Sequence, residues 1–463
     1  MPALPNVSVI EDRLREALHH RVLGRVAAVT GESIELEGIT APLGAICEVR
    51  SSNGSCTKSR VIGFRGSRPI LAPLEVMDSF AAGDSVKLVQ NSLQLRVGDA
   101  LCGRVIDAFG RPLDGLAMPG NLTNVKAEQN PPTSMERPPI NQPFQTGVQA
   151  IDGLLTCGQG QRIGIFAGSG IGKSTLLGML AKGCHADRIV IGLVGERGRE
   201  VKEFVDNILG EEGLSRSVVV AATSDTPAAQ RVSAAWTATA IAESFRDQGQ
   251  HVLLLLDSVT RFAMAQREIG LAAGEPPTTR GYPPSVFHEL PRLVERAGRT
   301  SLGTITAFYT VLVEGDDQNE PIADSLRGLL DGHFVLDRAL AEAAQYPPID
   351  ILSSLSRLQP NLVDQHVSDA VCKARQYLAD YRRTEDLISI GAYRKGNDEK
   401  IDTAIAIRDS MRDYLKQDFR QICSLDDAQQ SLVELINQAP RLLQDNQMAD
   451  MSRLDPVGTS VNL

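Results

Sequence analysis

Aromatic side chains are scarce in this chain: one Trp, seven Tyr and twelve Phe amount to 4% of 463 residues. Proteins that hold single-stranded nucleic acid stack bases on aromatic rings along a basic groove, and both ingredients are short here. Basic residues number 47 against 57 acidic ones, a formal charge of −10. That balance does not suit binding a phosphate backbone through Lys and Arg, so no nucleic-acid partner is expected. There is no C-x-x-C pair. The seven cysteines are scattered and odd in number, and read as reduced thiols rather than a disulfide framework or a zinc site. No apolar run reaches eighteen residues and the N-terminus has no signal-peptide pattern. Membrane contact is therefore expected to be peripheral only. What the chain does have is length and a 42% hydrophobic content, enough for two or three domains.

The texture changes along the chain. Ile10, Leu14 and Leu18 repeat every four residues among charged neighbours, which predicts a short amphipathic helix over Val9–His20. Short strands punctuated by Gly31, Gly38, Gly54, Gly66 and Gly83 follow at 22–29, 33–37, 45–50, 57–64 and 86–89, the pattern of a small β-barrel ending near Asn91. A Pro- and Asn-rich connector, 121–145, reads as extended and irregular. From Gly160 to about Leu336, near-continuous apolar strands (162–166, 188–194, 217–222, 251–256, 303–313 and 332–336) alternate with helical segments. This predicts an α/β fold with a parallel sheet covered on both faces. After about Asn361 the strands cease, and 367–381, 399–417 and 425–438 read as helices of a small all-α domain with a frayed polar tail after Met448. The expected division is an arm 1–21, a barrel 22–92, an α/β core 93–361 and a helical domain 362–463.

The strongest local signal is Ala167-Gly168-Ser169-Gly170-Ile171-Gly172-Lys173-Ser174-Thr175, set between an apolar strand and an apolar helix. Holding a polyphosphate needs inward-pointing backbone N–H groups with no side chains in the way, hence the glycines. The helix N-terminus adds partial positive charge. In this arrangement Gly168 to Thr175 cradle the phosphates, Lys173 reaches the β- and γ-phosphates, and Ser174 offers its hydroxyl to Mg²⁺. The strict pattern has Gly where Ala167 stands, at the edge of the loop.

Ligands of open parallel sheets collect beyond the carboxyl ends of the strands, so the residues following each strand matter. Asp257 ends the strand 251–256 and reads as a second Mg²⁺-organising group, or else as the cap of the next helix. Glu196 and Arg197 follow the strand 188–194 on the Lys173 edge. A carboxylate there orients and polarises the attacking water. Arg197 either steadies charge on the γ-phosphate or holds Glu196. Arg357, near the end of the core, suits an arginine lent to a neighbour's γ-phosphate. Tyr346, before Pro347-Pro348, either stacks on adenine or packs internally.

Taken together, the loop, Gly195-Glu196-Arg197-Gly198-Arg199-Glu200, Leu256-Asp257-Ser258-Val259-Thr260-Arg261 and Tyr346-Pro347-Pro348-Ile349-Asp350 through Arg357 resemble the ATP synthase α/β superfamily. Gly281-Tyr282-Pro283-Pro284-Ser285-Val286-Phe287, Glu314-Gly315-Asp316-Asp317 and Ala323-Asp324-Ser325-Leu326-Arg327 resemble its flagellar and type III secretion ATPases, where Ala167 is usual. The resemblance runs from about Val22 to Gln417. It implies a RecA-like P-loop ATPase core between the barrel and the helical domain, and a homohexamer with sites at subunit interfaces. It also implies ATP and Mg²⁺ as ligands. By position, Lys173, Ser174, Glu196, Arg197 and Asp257 fall on one subunit's site, Tyr346 on its adenine pocket, and Arg357 on the arginine finger given to the next subunit. The implied setting is the cytoplasm, peripheral to the inner-membrane export apparatus. Implied partners are a stalk-like regulator at the N-terminal arm, a central stalk-like protein, the export gate and chaperone–substrate complexes.

Ile390-Gly391-Ala392-Tyr393-Arg394-Lys395-Gly396 resembles the flagellar branch, since injectisome relatives more often carry Glu after the first Gly. An injectisome ATPase and the catalytic subunit of a rotary proton-translocating ATP synthase are the competing readings. The N-terminal helix suits either partner binding or packing on the barrel. The segments 274–284 and 314–320 read either as loops facing a ring axis or as solvated loops.

Overall fold

A computed structural model describes residues 23–76, 80–313 and 320–454, with side chains through residue 444. The expected N-terminal helix and residues 314–319 of the acidic loop lie outside the described residues. Six strands open the described chain: β1 (Leu23–Thr30), β2 (Ser33–Glu37), β3 (Ile46–Arg50), β4 (Cys56–Arg65), β5 (Arg68–Pro73) and β6 (Ser85–Gln90). They close into a barrel in the order β1-β2-β5-β4-β3-β6. Alternate residues point inward, so Val26, Ile34, Leu36, Val49, Val61, Leu71 and Val86 form its core. The two-residue connection Gly31-Glu32 joins β1 to β2 at the Thr30↔Ser33 pair, and Gly31 supplies the positive φ of 57° that such a tight turn needs.

Strand β5 is absent from the sequence expectation because Pro69 and Pro73 argue against a strand. The register shows how they are accommodated. β5 pairs with β2 only at Ile70 and Leu71, and both prolines lie outside that stretch, opposite Phe64 and Ser59 of β4.

The connector is more regular than expected. It contributes β9 (Thr123–Lys126), which pairs with β7 (Gln94–Val97), and β10 (Pro143–Phe144), which pairs with β11 (Cys157–Gly158). β8 (Arg104–Asp107) joins the main sheet. The core strands are β12 (Arg162–Ala167), β13 (Arg188–Glu196), β14 (Ser217–Thr223), β15 (His251–Asp257), β16 (Gly298–Arg299), β17 (Thr304–Leu312), β18 (Gly332–Leu336) and β19 (Ile349–Ser356). The sheet order is β19-β18-β12-β17-β15-β13-β14-β8, with β16 paired to β17. From β18 through to β8 every pair along that order is parallel, while β19 runs antiparallel on β18. Helices Lys173–Gly183, Ala228–Arg246 and Val259–Ala272 are among those that join the parallel strands and cover the faces, as βαβ connections require. The segment expected as one helix over 199–209 is a short helix Gly198–Glu203 followed by a π-helical turn Phe204–Leu209.

Three helices close the described residues: Gln365–Ser389, Glu399–Leu415 and Leu425–Leu454. Ala370, Val371, Ala374, Ile407, Met411, Leu432 and Ile436 bury one face of each in a core shared with the P-loop helix. The last helix runs past Pro440, beyond the stop expected near Gln438. Among the described residues no helix is long and apolar enough to cross a membrane.

Candidate functional site

The carboxyl ends of β12, β13, β15 and β17 meet at one edge of the sheet. Beyond them lies a cavity of about 720 Å³, a usual size for a ligand pocket. Gly168, Ser169, Gly170, Gly172, Lys173, Ser174 and Thr175 line one side of it, and Glu196, Arg197, Glu200, Thr260 and Arg261 another. Gly170 and Gly172 have φ of 77° and 99°, left-handed values that wrap the loop and that side chains rarely allow. Gly172 precedes the eleven-residue helix Lys173–Gly183, whose free N–H groups face the cavity end. Ile171 instead turns inward and is buried in the core.

The three charged residues expected to meet do so. Lys173 Nζ donates to Asp257 Oδ1 and stands 3.5 Å from Glu196 Oε1. Both carboxylates are buried, at 3% and 7% exposure. Asp257 is not the helix cap; that role falls to Ser258, whose Oγ accepts the Arg261 N–H at 3.2 Å. Asp257 also accepts a hydrogen bond from Thr310 Oγ1 on β17, at 2.7 Å.

Burial raises the pKa of Glu196 above the ordinary glutamate range, opposed by Lys173 and Arg261 and reinforced by Asp257. Its Oε1 is buried and accepts no hydrogen bond. A carboxylate oxygen with spare acceptor capacity beside an ammonium is suited to hold and polarise a water.

Arg197 does not touch Glu196. Its side chain is exposed and lies 3.6 Å from Glu200 Oε1, although it still lines the cavity. The guanidinium next to Glu196 is that of Arg261, with Nε 3.3 Å from Oε1. The sequence carried a signal for it: Arg261 sits in the first turn of the helix that follows Asp257, facing the same edge. Arg338 is the other cation that sequence reasoning missed. It lines the cavity and donates to the Ser169 carbonyl at 3.2 Å.

Tyr346 is half exposed and packs over the loop, close enough that a Cβ on Gly172 would stand 3.6 Å from its ring. Its carbonyl accepts the N–H of Gln417 at 2.9 Å, which ties the loop region to the helical domain. Arg357 is elsewhere. β19 starts beside Leu336 at the loop edge and ends beside Gly332, so Arg357 emerges at the opposite end of β18, roughly 13 Å along the strand. There it is exposed, and its Nη2 donates to the Arg327 carbonyl at 3.0 Å.

With this geometry in view, two family profiles match the chain. ATP synthase alpha/beta family, nucleotide-binding domain, covers residues 147–356, and T3SS EscN ATPase C-terminal domain covers residues 363–434. A flagellum-specific ATP synthase of Bacillus subtilis is 54% identical over 414 residues, 89% of this chain and 94% of that protein. A type 3 secretion system ATPase of Xanthomonas euvesicatoria is 47% identical over 433 residues, 93% of this chain and 98% of that protein. This chain belongs to the flagellar and type III secretion ATPase family. The structure of the assembled ATPase EscN in complex with its central stalk EscO, from the enteropathogenic E. coli type III secretion system, superimposes with a TM-score of 0.82 at 44% identity, covering 89% of this chain and all of that one. The fold of an ATP synthase α/β-type ATPase is thus established over barrel, core and helical domain, and with it the assignment as an ATPase.

Proposed function

We propose that this protein hydrolyses ATP as one subunit of a homohexameric ring that assists flagellar protein export through a type III apparatus. The observation that carries the reading is the convergence of Lys173, Glu196 and Asp257 on the phosphate-binding loop while Arg357 lies at the far edge of the sheet. Such a chain holds all of a hydrolytic site except the arginine, and carries that arginine where only another copy can use it.

The donor set fits Mg²⁺-ATP. Glycine-lined N–H groups and Lys173 match a polyphosphate, and the Ser174 hydroxyl with the Asp257 carboxylate are the hard oxygen donors that magnesium takes. When bound, Mg²⁺ would supply positive charge to the phosphate oxygens. Gly168 to Thr175 would bind the phosphates and Tyr346 the adenine. Glu196 would hold the attacking water and draw on its proton; Lys173 and Arg197 would steady charge on the phosphates. Arg357 of one copy would stabilise the transition state in the next, the contribution that phosphoryl transfer most depends on.

The barrel (22–92), the ATPase core (93–361) and the helical unit (362–463) would divide the work of ring contact, hydrolysis and coupling. The arm 1–21 would take a stalk-like regulator. A central stalk-like protein, the export gate and chaperone–substrate complexes are the further partners, met in the cytoplasm at the inner-membrane apparatus. The EscN–EscO complex supports assembly and a stalk partner. The higher identity to the flagellum-specific relative supports the flagellar branch over the injectisome one.

Arg357→Ala tests the reading. Nucleotide binding should persist, while steady-state hydrolysis should fall on the order of a thousandfold. Near-normal turnover would remove Arg357 from this role.

A further inference from the structure

Asp257 is held from two sides. One is Lys173, already placed in the site. The other is Thr310, which is fully buried on β17, the strand between the loop strand β12 and the Asp257 strand β15. Thr310 stands opposite Ile165 of β12 and one residue beyond the Leu256↔Tyr309 pair with β15. Its only hydroxyl hydrogen has two acceptors within reach, Asp257 Oδ1 at 2.7 Å and the Leu256 carbonyl at 3.3 Å. The carboxylate is nearer and charged, so it takes the stronger bond. This face of β17 is otherwise apolar around it, with Phe308 two residues before. A hydroxyl buried there costs free energy unless it has a partner.

We propose that Thr310 is a positioning residue for magnesium: its hydroxyl fixes the Asp257 carboxylate so that Oδ1 is committed to Thr310 and Lys173 and Oδ2 is presented to the metal or one of its waters. The proposal rests on the reading of this cavity as a Mg²⁺-ATP site. Groups that orient a metal ligand typically contribute ten- to a hundredfold in metal affinity.

The isosteric change Thr310→Val removes the hydroxyl and keeps the branched shape that a buried strand favours. Binding of a fluorescent ADP is measured in excess EDTA and across a Mg²⁺ titration, on the full chain. Affinity in EDTA should match wild type. The Mg²⁺ concentration giving half of the metal-dependent tightening should rise about tenfold. Thr310→Ser, which keeps the hydroxyl, should stay within about twofold of wild type, and Thr310→Ala should behave as Thr310→Val, which covers the case in which valine does not fold. Unchanged Mg²⁺ dependence in folded Thr310→Val or Thr310→Ala would overturn the positioning role. If the wild-type protein itself showed no metal-dependent tightening, the nucleotide-site reading would fall instead.

Discussion

Asp152 is fully buried, and its carboxylate accepts the N–H groups of Thr146 and Gly147 at 2.9 and 3.0 Å together with Thr146 Oγ1 at 2.7 Å. It pins a turn that abuts the end of the P-loop helix, where a Cβ on Gly147 would stand 2.5 Å from Gly183 Cα. Burial pushes its pKa to about 7, outweighing the three donors. An unfolded aspartate titrates near ~3.9. Between these values the folded chain keeps a proton that the unfolded chain has lost. This group's stabilisation is therefore complete below the unfolded value and is lost as pH rises through about 7. Between pH ~5 and ~8 the melting temperature of the wild type should fall more steeply than that of Asp152→Asn. Parallel curves would show that Asp152 keeps its charge throughout. At this same scale the sequence was only partly legible. Lys173 and Glu196 could be placed because each follows a strand at the ligand edge. Nothing local in Gly195-Glu196-Arg197 says that the arginine points to solvent, or that Arg261, remote in sequence, takes the place beside the carboxylate.

Helix Ala228–Arg246 shows what holds the elements around the site. Its Glu243 pairs with Arg296, both essentially unexposed, through Nε at 2.9 Å and a second contact through Nη2. Arg296 Nη1 also donates to the Ala127 carbonyl at 2.9 Å, and its guanidinium lies 5.4 Å from the Trp236 ring centroid. One arginine thus ties the helix to the connector and to the segment after helix Pro284–Val294. Glu243→Ala leaves a buried cation unpaired and should cost about 3–5 kcal/mol. The paired change of Glu243 and Arg296 to methionine should cost much less, because no charge is stranded. Urea unfolding midpoints of the two variants make the comparison. Equal midpoints would mean that the pair has no such role. Elements were legible where an apolar run was nearly continuous, as in β12, β13 and β15. They were lost where proline masked a strand (β5) or where a strand lies at the end of the sheet with one partner, as with β8 and β19. Pairing of that kind is decided by tertiary contacts, which no local pattern reports.

Across the whole molecule, the antiparallel β19 is the decisive strand. It carries the chain from Ile349, near Tyr346 and the glycine-rich loop, to Ser356 at the opposite end of β18, and so separates Arg357 from the protomer's own loop-lined cavity. In the proposed head-to-tail ring of copies that separation would be resolved, since each junction would join one protomer's loop to another's arginine. The motifs at both ends could be read in sequence, but the distance between them could not, because it depends on the direction in which the last strand joins the sheet. The most direct test mixes two variants, Lys173→Ala and Arg357→Ala, each expected to be nearly inactive alone. In mixed rings, junctions that pair the intact Lys173 of one copy with the intact Arg357 of the other should regain hydrolysis well above the sum of the separate variants. A mixture that forms rings yet hydrolyses no faster than that sum would contradict a site completed between subunits.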